Sequence, residues 1–173
     1  DVYPAVGRGF SVARLNERGL PEISDIWRTF IRQMRDRSPR IVFLDTLNRA
    51  IPGLDENSSG HRSLVLGALE ELARDVGCAV VVLHHANKQS MVSGTGAEQQ
   101  AIRGSSALSD NARWQANLMR MTSQDAKKRE ISDRERRQWV KLDAPKMSFD
   151  ADPGARWLGR VDGGVLVGGT EPP

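Results

Sequence analysis

Hydrophobic and polar positions recur with two different periods along this sequence, and together they predict a chain of mixed helices and strands. After Pro21, residues 22–36 place apolar side chains at every third or fourth position, with Arg and Asp between them, which predicts an amphipathic helix. Residues 61–76 repeat this period with leucines, and Gly77 is placed to end that helix. The continuous apolar runs 40–45 and 78–84 each predict a buried strand, the first covered on both faces as in a parallel sheet.

A strand, a helix and a second strand joined by short connections form a βαβ unit, so the pattern predicts an α/β fold with a parallel sheet flanked by helices. Residues 52–60 and 86–102 are predicted to be loops because they are polar and contain glycine. The remaining predicted elements are a strand at 9–15, a short helix near 104–111, a strand at 113–121, a polar helix over 123–137, and C-terminal strands at 139–149 and 156–167 with a hairpin turn at 162–164.

Composition narrows the class of protein. A length of 173 residues suits one domain, and no apolar run approaches the roughly 20 residues that a membrane span needs, so we expect a cytoplasmic protein without a membrane partner. The single cysteine, Cys78, lies in an apolar run and predicts a reduced, buried thiol. The net charge of +3 is uneven, since residues 103–146 hold eleven basic and six acidic residues. This block could face a polyanion or be a solvated helix face.

Two strand ends carry candidate chemistry. Asp45 follows four apolar residues at the carboxyl end of the first buried strand, where a carboxylate can hold magnesium beneath the phosphates of a nucleotide. His84 and His85 close the next strand at the same edge of the sheet, where ligands of open α/β sheets bind. An acidic residue that merely ends a strand, and a histidine that caps a turn, are the structural alternatives.

Arg103 and Arg113 flank a cluster of small residues, and Arg113 opens a predicted strand. A guanidinium held at the start of a strand can reach the phosphates of a nucleotide on a neighbouring subunit. An ion pair with Asp110, or a solvated strand end, is the alternative.

These motifs, in this order, resemble the RecA-like core of hexameric replicative helicases, and within that class the plasmid RepA helicases of IncQ type. The resemblance covers about residues 40–167 and rests on the segments 42–47, 77–78, 83–88, 103–106, 110–115, 121–123, 136–137 and 162–166. It implies core motifs within 40–121, followed by a polar helix and a strand and hairpin tail within 122–173. It also implies an ATP-hydrolysing DNA helicase that uses ATP and Mg²⁺, binds single-stranded DNA and assembles into a hexameric ring.

The resemblance also assigns roles to individual residues. Asp45 would be the Walker B aspartate that holds Mg²⁺, and Thr46 would join it at the nucleotide. His85 would sense the γ-phosphate, and Arg113 would be the arginine finger that acts on ATP of the adjacent subunit. Lys146 lies where related helicases place a second basic residue at the nucleotide.

The same resemblance places loop 87–102 in the central channel of the ring. Lys88 and Arg103 would then contact the DNA backbone. For Lys88, a solvated loop lysine is an equally good interpretation.

One departure from this family is large. A RecA-like ATPase needs a Gly-x-x-x-x-Gly-Lys-Ser/Thr loop to cradle the phosphates, and no Gly-Lys pair occurs in these 173 residues. In the family this loop and the catalytic glutamate precede the matched region, and the sequence opens on Asp1 rather than Met. We therefore expect residues 1–173 to be a single RecA-like ATPase domain that is truncated at its N-terminus. Alone, the chain is expected to be inactive toward ATP.

Three functional hypotheses follow. The first is a fragment of an ATP-driven helicase that works only in the full-length ring. The second is a non-catalytic RecA-like module that binds DNA or a partner and has lost nucleotide chemistry. The third is a RecA-like regulator or recombination ATPase.

Overall fold

The structure, a computed structural model, describes residues 2, 5, 7, 9–55, 57–85, 107–149, 154–169 and 171–172. Its strands β1 to β8 are Ala13–Leu15, Pro21–Ile23, Ile41–Asp45, Ala79–Leu83, Trp114–Arg120, Trp139–Met147, Arg156–Arg160 and Leu166–Val167. Its helices α1 to α5 are Asp25–Arg37, Leu47–Ala50, Ser59–Val76, Ala107–Asn111 and Ser123–Lys128, with short 3₁₀ helices at Glu135–Gln138 and Asp162–Gly164.

The described residues form two compact units. The first unit runs to His85 and includes α4, and the second begins at Ala112. The interpretation of residues 1–173 as one domain stays a prediction.

The first unit contains the predicted βαβ unit. Strands β3 and β4 pair in parallel, from Ile41 beside Ala79 to Asp45 beside Leu83, and α3 connects them. A separate antiparallel pair joins β1 to β2, a strand that the hydrophobic pattern did not indicate. This mixed α/β architecture confirms the predicted fold class.

Both long helices of this unit begin and end on local signals. The hydroxyl of Ser24 accepts a hydrogen bond from the Trp27 amide at 3.1 Å, which satisfies one free amide of the first turn of α1. Ser58 does the same for α3. Gly77 ends α3 with φ of 72°, a left-handed conformation that glycine adopts at little cost, so its predicted role as a helix terminator is confirmed.

The prediction that the strand at 40–45 is buried on both faces is wrong for the described chain. Val42 and Leu44 pack against the core, but Ile41 is 50% exposed and Phe43 is 67% exposed on the opposite face. Successive side chains of a strand point to opposite faces, and the core packs against only one of them. The members of this core are Val12, Ala13, Trp27, Ile31, Leu47, Ala50, Ile51, Leu54, Val65, Ala68, Leu69, Leu72 and Cys78.

Cys78 is a free, buried thiol, as predicted. Burial raises the pKa of this thiol above its usual value, because the charged thiolate loses hydration there.

The second unit is a four-stranded antiparallel sheet in the order β5-β6-β7-β8. The predicted C-terminal hairpin is confirmed, with Gly159 paired to Val167 across the turn at Asp162–Gly164. Its core is small and consists of Met121, Ala126, Ile131 and Trp157, with Trp139 against them.

The predicted helix over 123–137 is wrong beyond Lys128. Helix α5 starts on a capping box formed by Thr122 and Asp125, and it ends where Glu130 takes a φ of 56°. The chain then reverses so that the Ile131 amide donates to the Ala126 carbonyl at 2.9 Å, which places the Ile131 side chain in the core. Burial of one apolar residue therefore outweighs continuation of a polar helix.

Within the described ranges, no helix is both long and apolar enough to span a membrane. The loop predicted at 86–102 lies outside the described residues.

Candidate functional site

Asp45 and the histidine pair lie at the same edge of the parallel sheet. Asp45 is the last residue of β3 and stands beside Leu83, the last residue of β4, so that His84 and His85 follow directly. Parallel strands present their carboxyl ends together, and open α/β sheets bind their ligands outside this edge. The pairing register thus brings together the polar groups that the two apolar runs end in.

Asp45 and Thr46 carry side chains that the described structure leaves uncommitted. The Asp45 side chain is exposed, and its carboxylate forms no ion pair or hydrogen bond with any described residue. Thr46 is the N-cap residue of α2, yet its hydroxyl makes no capping hydrogen bond. The peptide bond that joins the two residues is cis. A carboxylate and a hydroxyl with free lone pairs are therefore adjacent at the sheet edge.

The two histidines differ in their surroundings. His84 is half-buried, and its Nδ1 lies 2.9 Å from the carbonyl oxygen of His85, a local contact that fixes the turn after β4. The His85 side chain is exposed and has no partner among the described residues. The turn-capping interpretation therefore applies to His84, and His85 is the imidazole that is available to a ligand.

Arg113 and Lys146 belong to the second unit and lie at one end of its sheet. Arg113 immediately precedes β5, and its carbonyl accepts a hydrogen bond from the Ser148 amide at 3.0 Å, while Lys146 pairs with Gln115 in the sheet register. Arg113 is exposed and forms no ion pair with Asp110, so that alternative is excluded. The structure thus groups the two basic candidates together on the second unit, whereas Asp45 belongs to the first.

The donors present suit one part of a magnesium–nucleotide site. Mg²⁺ prefers oxygen ligands and commonly takes one or two carboxylates together with phosphate oxygens and water, so Asp45 and Thr46 fit the metal side. The described residues contain no cluster of three potential metal ligands, in keeping with a site completed by a nucleotide. The sequence has no Gly-Lys pair to cradle phosphates.

The predicted DNA contacts Lys88 and Arg103 lie outside the described residues, and their placement stays a prediction. A cleft of about 580 Å³ in the second unit was not indicated by the sequence and includes none of the predicted site residues. Its lining residues are Asp125, Lys128, Arg129, Lys141, Ala155, Trp157 and Glu171. Arg129 covers it from above the Trp157 ring, 5.5 Å from the ring centre, and no local sequence pattern indicates this long-range contact.

Comparison with known proteins agrees with this architecture. Residues 7–91 match the protein-family profile described as "AAA domain". A solved structure of the ATPase domain of a helicase matches with a TM-score of 0.60 and 21% sequence identity, over 83% of this chain and 50% of that one. The chain spans half the length of that structure, and membership of the plasmid RepA helicases is not shown. The chain has the fold of a RecA-like helicase ATPase domain.

Proposed function

We propose that this chain forms part of the ATP-hydrolysing motor of a DNA helicase. The observation that carries the proposal is the convergence of Asp45 and His85 at the carboxyl edge of two adjacent parallel strands, with neither side chain committed to another described residue. In this proposal Asp45 and Thr46 hold Mg²⁺, which bridges the phosphates of ATP and neutralises the charge that develops during phosphoryl transfer. His85 senses the presence or loss of the γ-phosphate.

The second unit contributes the positive charge for a neighbouring site. Arg113 carries a guanidinium without a partner among the described residues, at the start of a strand where the backbone holds it, and Lys146 lies in the adjacent register position. A head-to-tail ring places this end of one subunit against the nucleotide of the next, so each active site is shared. We propose a hexameric ring of this kind that acts as a plasmid replicative helicase in the cytoplasm and moves along single-stranded DNA, with Lys88 and Arg103 on the strand.

The decisive measurement is the ATPase rate of the protein encoded by the complete open reading frame, with and without single-stranded DNA. We expect Asp45→Ala to abolish hydrolysis and Arg113→Ala to lower kcat by about 10³-fold, since arginine fingers contribute on that order. Arg18→Ala is the matched control, because Arg18 is exposed and lies in neither part of the proposed site. Hydrolysis that survives Asp45→Ala would refute the Walker B role.

Mixing the two inactive variants tests whether the site is shared. If Arg113 acts on the neighbouring subunit, a mixed ring contains interfaces where an intact Asp45 meets an intact Arg113, and part of the activity returns. If Arg113 acts within its own subunit, every subunit in the mixture retains one defect and the activity stays lost. Strand displacement by the same preparations distinguishes a helicase from a regulator or recombination ATPase.

The second candidate is a RecA-like module that binds DNA or a partner without hydrolysing ATP. The absence of any Gly-Lys pair from the 173 residues favours it for the chain in isolation. If the complete reading frame also lacks a phosphate-binding loop and shows no ATPase activity, while DNA binding persists, the module is correct and the motor is wrong.

A further inference from the structure

One face of the antiparallel sheet carries three arginines. The pairing register places Leu118, Leu142 and Arg156 side by side, and Arg120, Val140 and Leu158 in the neighbouring row. Arg160 lies on the same face one row further along β7, and Trp114 lies on it at the start of β5. We name this surface, defined by Trp114, Leu118, Arg120, Val140, Leu142, Arg156, Leu158 and Arg160, the arginine face.

The arginines of this face are not used to hold the described fold together. Arg120, Arg156 and Arg160 are all exposed, and none forms an ion pair or hydrogen bond through its side chain with another described residue. The acidic residue of these strands, Asp143, lies on the opposite face, where its carboxylate meets the Lys141 ammonium at 3.3 Å. Among the described residues, the sheet therefore has one face with unneutralised positive charge and another where charge is paired.

The same face presents an aromatic ring and apolar surface to solvent. Trp114 is 53% exposed and Leu118 is 56% exposed, whereas Val140 at the centre is buried. An exposed tryptophan is unusual for this chain, because Trp27 and Trp157 lie in the two cores. From Trp114 to Arg120 the strand extends roughly 20 Å at about 3.4 Å per residue.

We propose that the arginine face binds single-stranded nucleic acid independently of ATP. Guanidinium groups match phosphate oxygens in a two-pronged geometry, and an exposed indole offers a platform on which an unpaired base can stack. A row of arginines without partners in the described fold, beside an aromatic ring on a sheet, combines both needs. A purely apolar protein partner would leave three desolvated guanidinium groups without counter-charges, which disfavours that occupant.

The test is fluorescence anisotropy of a labelled oligo(dT) titrated with the chain in the absence of nucleotide. The variant Arg120→Gln/Arg156→Gln/Arg160→Gln should bind at least tenfold more weakly. Its salt dependence, the slope of log K against log[salt], should fall by about 2, because each phosphate contact on a single strand contributes about 0.7. The control Arg18→Gln/Arg40→Gln/Arg49→Gln removes the same charge from exposed positions in the first unit and should bind nearly as the parent does. Equal weakening by both variants would overturn the proposal, since it would indicate non-specific attraction.

Tryptophan fluorescence tests the stacking. Oligo(dT) should quench the emission of the parent chain, and Trp114→Leu should lose that quenching and bind about tenfold more weakly. A duplex of the same length should bind more weakly than the single strand, because paired bases cannot stack on the ring. Unchanged quenching in Trp114→Leu, or equal affinity for duplex, would contradict the assignment. Asp45→Ala should leave this binding unaffected, so the result is separate from that of the proposed ATPase.

Discussion

The two sheets of this chain achieve stability in opposite ways. In the first unit, a segment of 33 residues separates the end of β3 from the start of β4, and the pair depends on a large core that helices α1 and α3 help to form. In the second unit, neighbours in the sheet are neighbours in sequence, and the core is small. Parallel pairing requires a crossover helix, whereas hairpin pairing sets its register locally.

The comparison also separates two kinds of chemistry. The parallel pair ends in a carboxylate and an imidazole at the edge where parallel strands present their carboxyl ends. The antiparallel sheet presents arginines, both on its arginine face and at Arg113. A nucleotide phosphate and its metal need both kinds of group, and the chain builds them on separate units.

The largest expected effect is on the core of the first unit. Trp27 is 1% exposed, stacks on Phe30 at 5.4 Å between ring centres and meets Phe10 edge-on at 6.1 Å. Trp27→Ala should lower the free energy of unfolding by about 3–5 kcal/mol, measured by urea titration, because it leaves a cavity among these rings. Trp114→Ala is the matched control and should change it by less than about 0.5 kcal/mol. A similar loss for both variants would show that the exposed tryptophan is also structural.

A smaller effect compares the helix caps of the two units. Ser24 is buried, and its hydroxyl accepts from the Trp27 amide and donates to the Ser11 carbonyl, whereas Thr122 caps α5 in a part-buried capping box. We expect Ser24→Ala to cost about 2 kcal/mol and Thr122→Ala about 1 kcal/mol in thermal or urea unfolding. The reverse order would mean that the second unit depends on its helix more than its small core suggests.

The smallest effect is confined to acid pH in the second unit. The Arg136 guanidinium, which donates to the Asp133 carboxylate, lowers the pKa of that carboxyl below its ordinary value of 3.8. Hydrogen bonds from the Ser132 hydroxyl and amide lower the pKa of Glu135 below 4.5. Both lowered values mean that the folded turn favours the ionised form, so its stabilisation is present above these ordinary values and is lost as pH falls through the lowered ones.

Amide chemical shifts of Ser132 and Glu135, followed by NMR from about pH 6 to about pH 2, measure this loss. Glu135→Gln should remove most of the pH dependence at Ser132. The Ser24 cap of the first unit uses a hydroxyl and backbone groups, so its amide signals should stay constant over the same range. An acid transition at Ser24 that matched the one at Ser132 would contradict a local origin.

Most elements were predictable because their signals are local. The two amphipathic helices, both strands of the parallel pair, the Gly77 terminator and the C-terminal hairpin all follow from hydrophobic period and turn residues. The break after Lys128 was missed, although the pattern Ser132-x-x-Glu135 is a capping-box signature that marks a new start. The strand Pro21–Ile23 was missed because three residues carry too little period to detect.

The candidate site was predictable only in part. The residues Asp45 and His85 stand out in sequence because each ends an apolar run, and Arg113 stands out because it begins a strand. Sequence could not tell which histidine is committed to the turn, nor that Arg113 forms no ion pair with Asp110, because both depend on side-chain distances. The placement of Lys88 and Arg103 stays a prediction.

The sequence by itself determined the α/β class, the order of most elements and the polar residues at strand ends, because hydrophobic period and capping act over a few neighbouring positions. Only the tertiary structure decided that β3 is covered on one face, that Asp45 stands beside Leu83, and that Trp114 shares a face with three arginines. These are matters of register and of which face the core covers. Both depend on contacts between residues far apart along the chain, which no local pattern records.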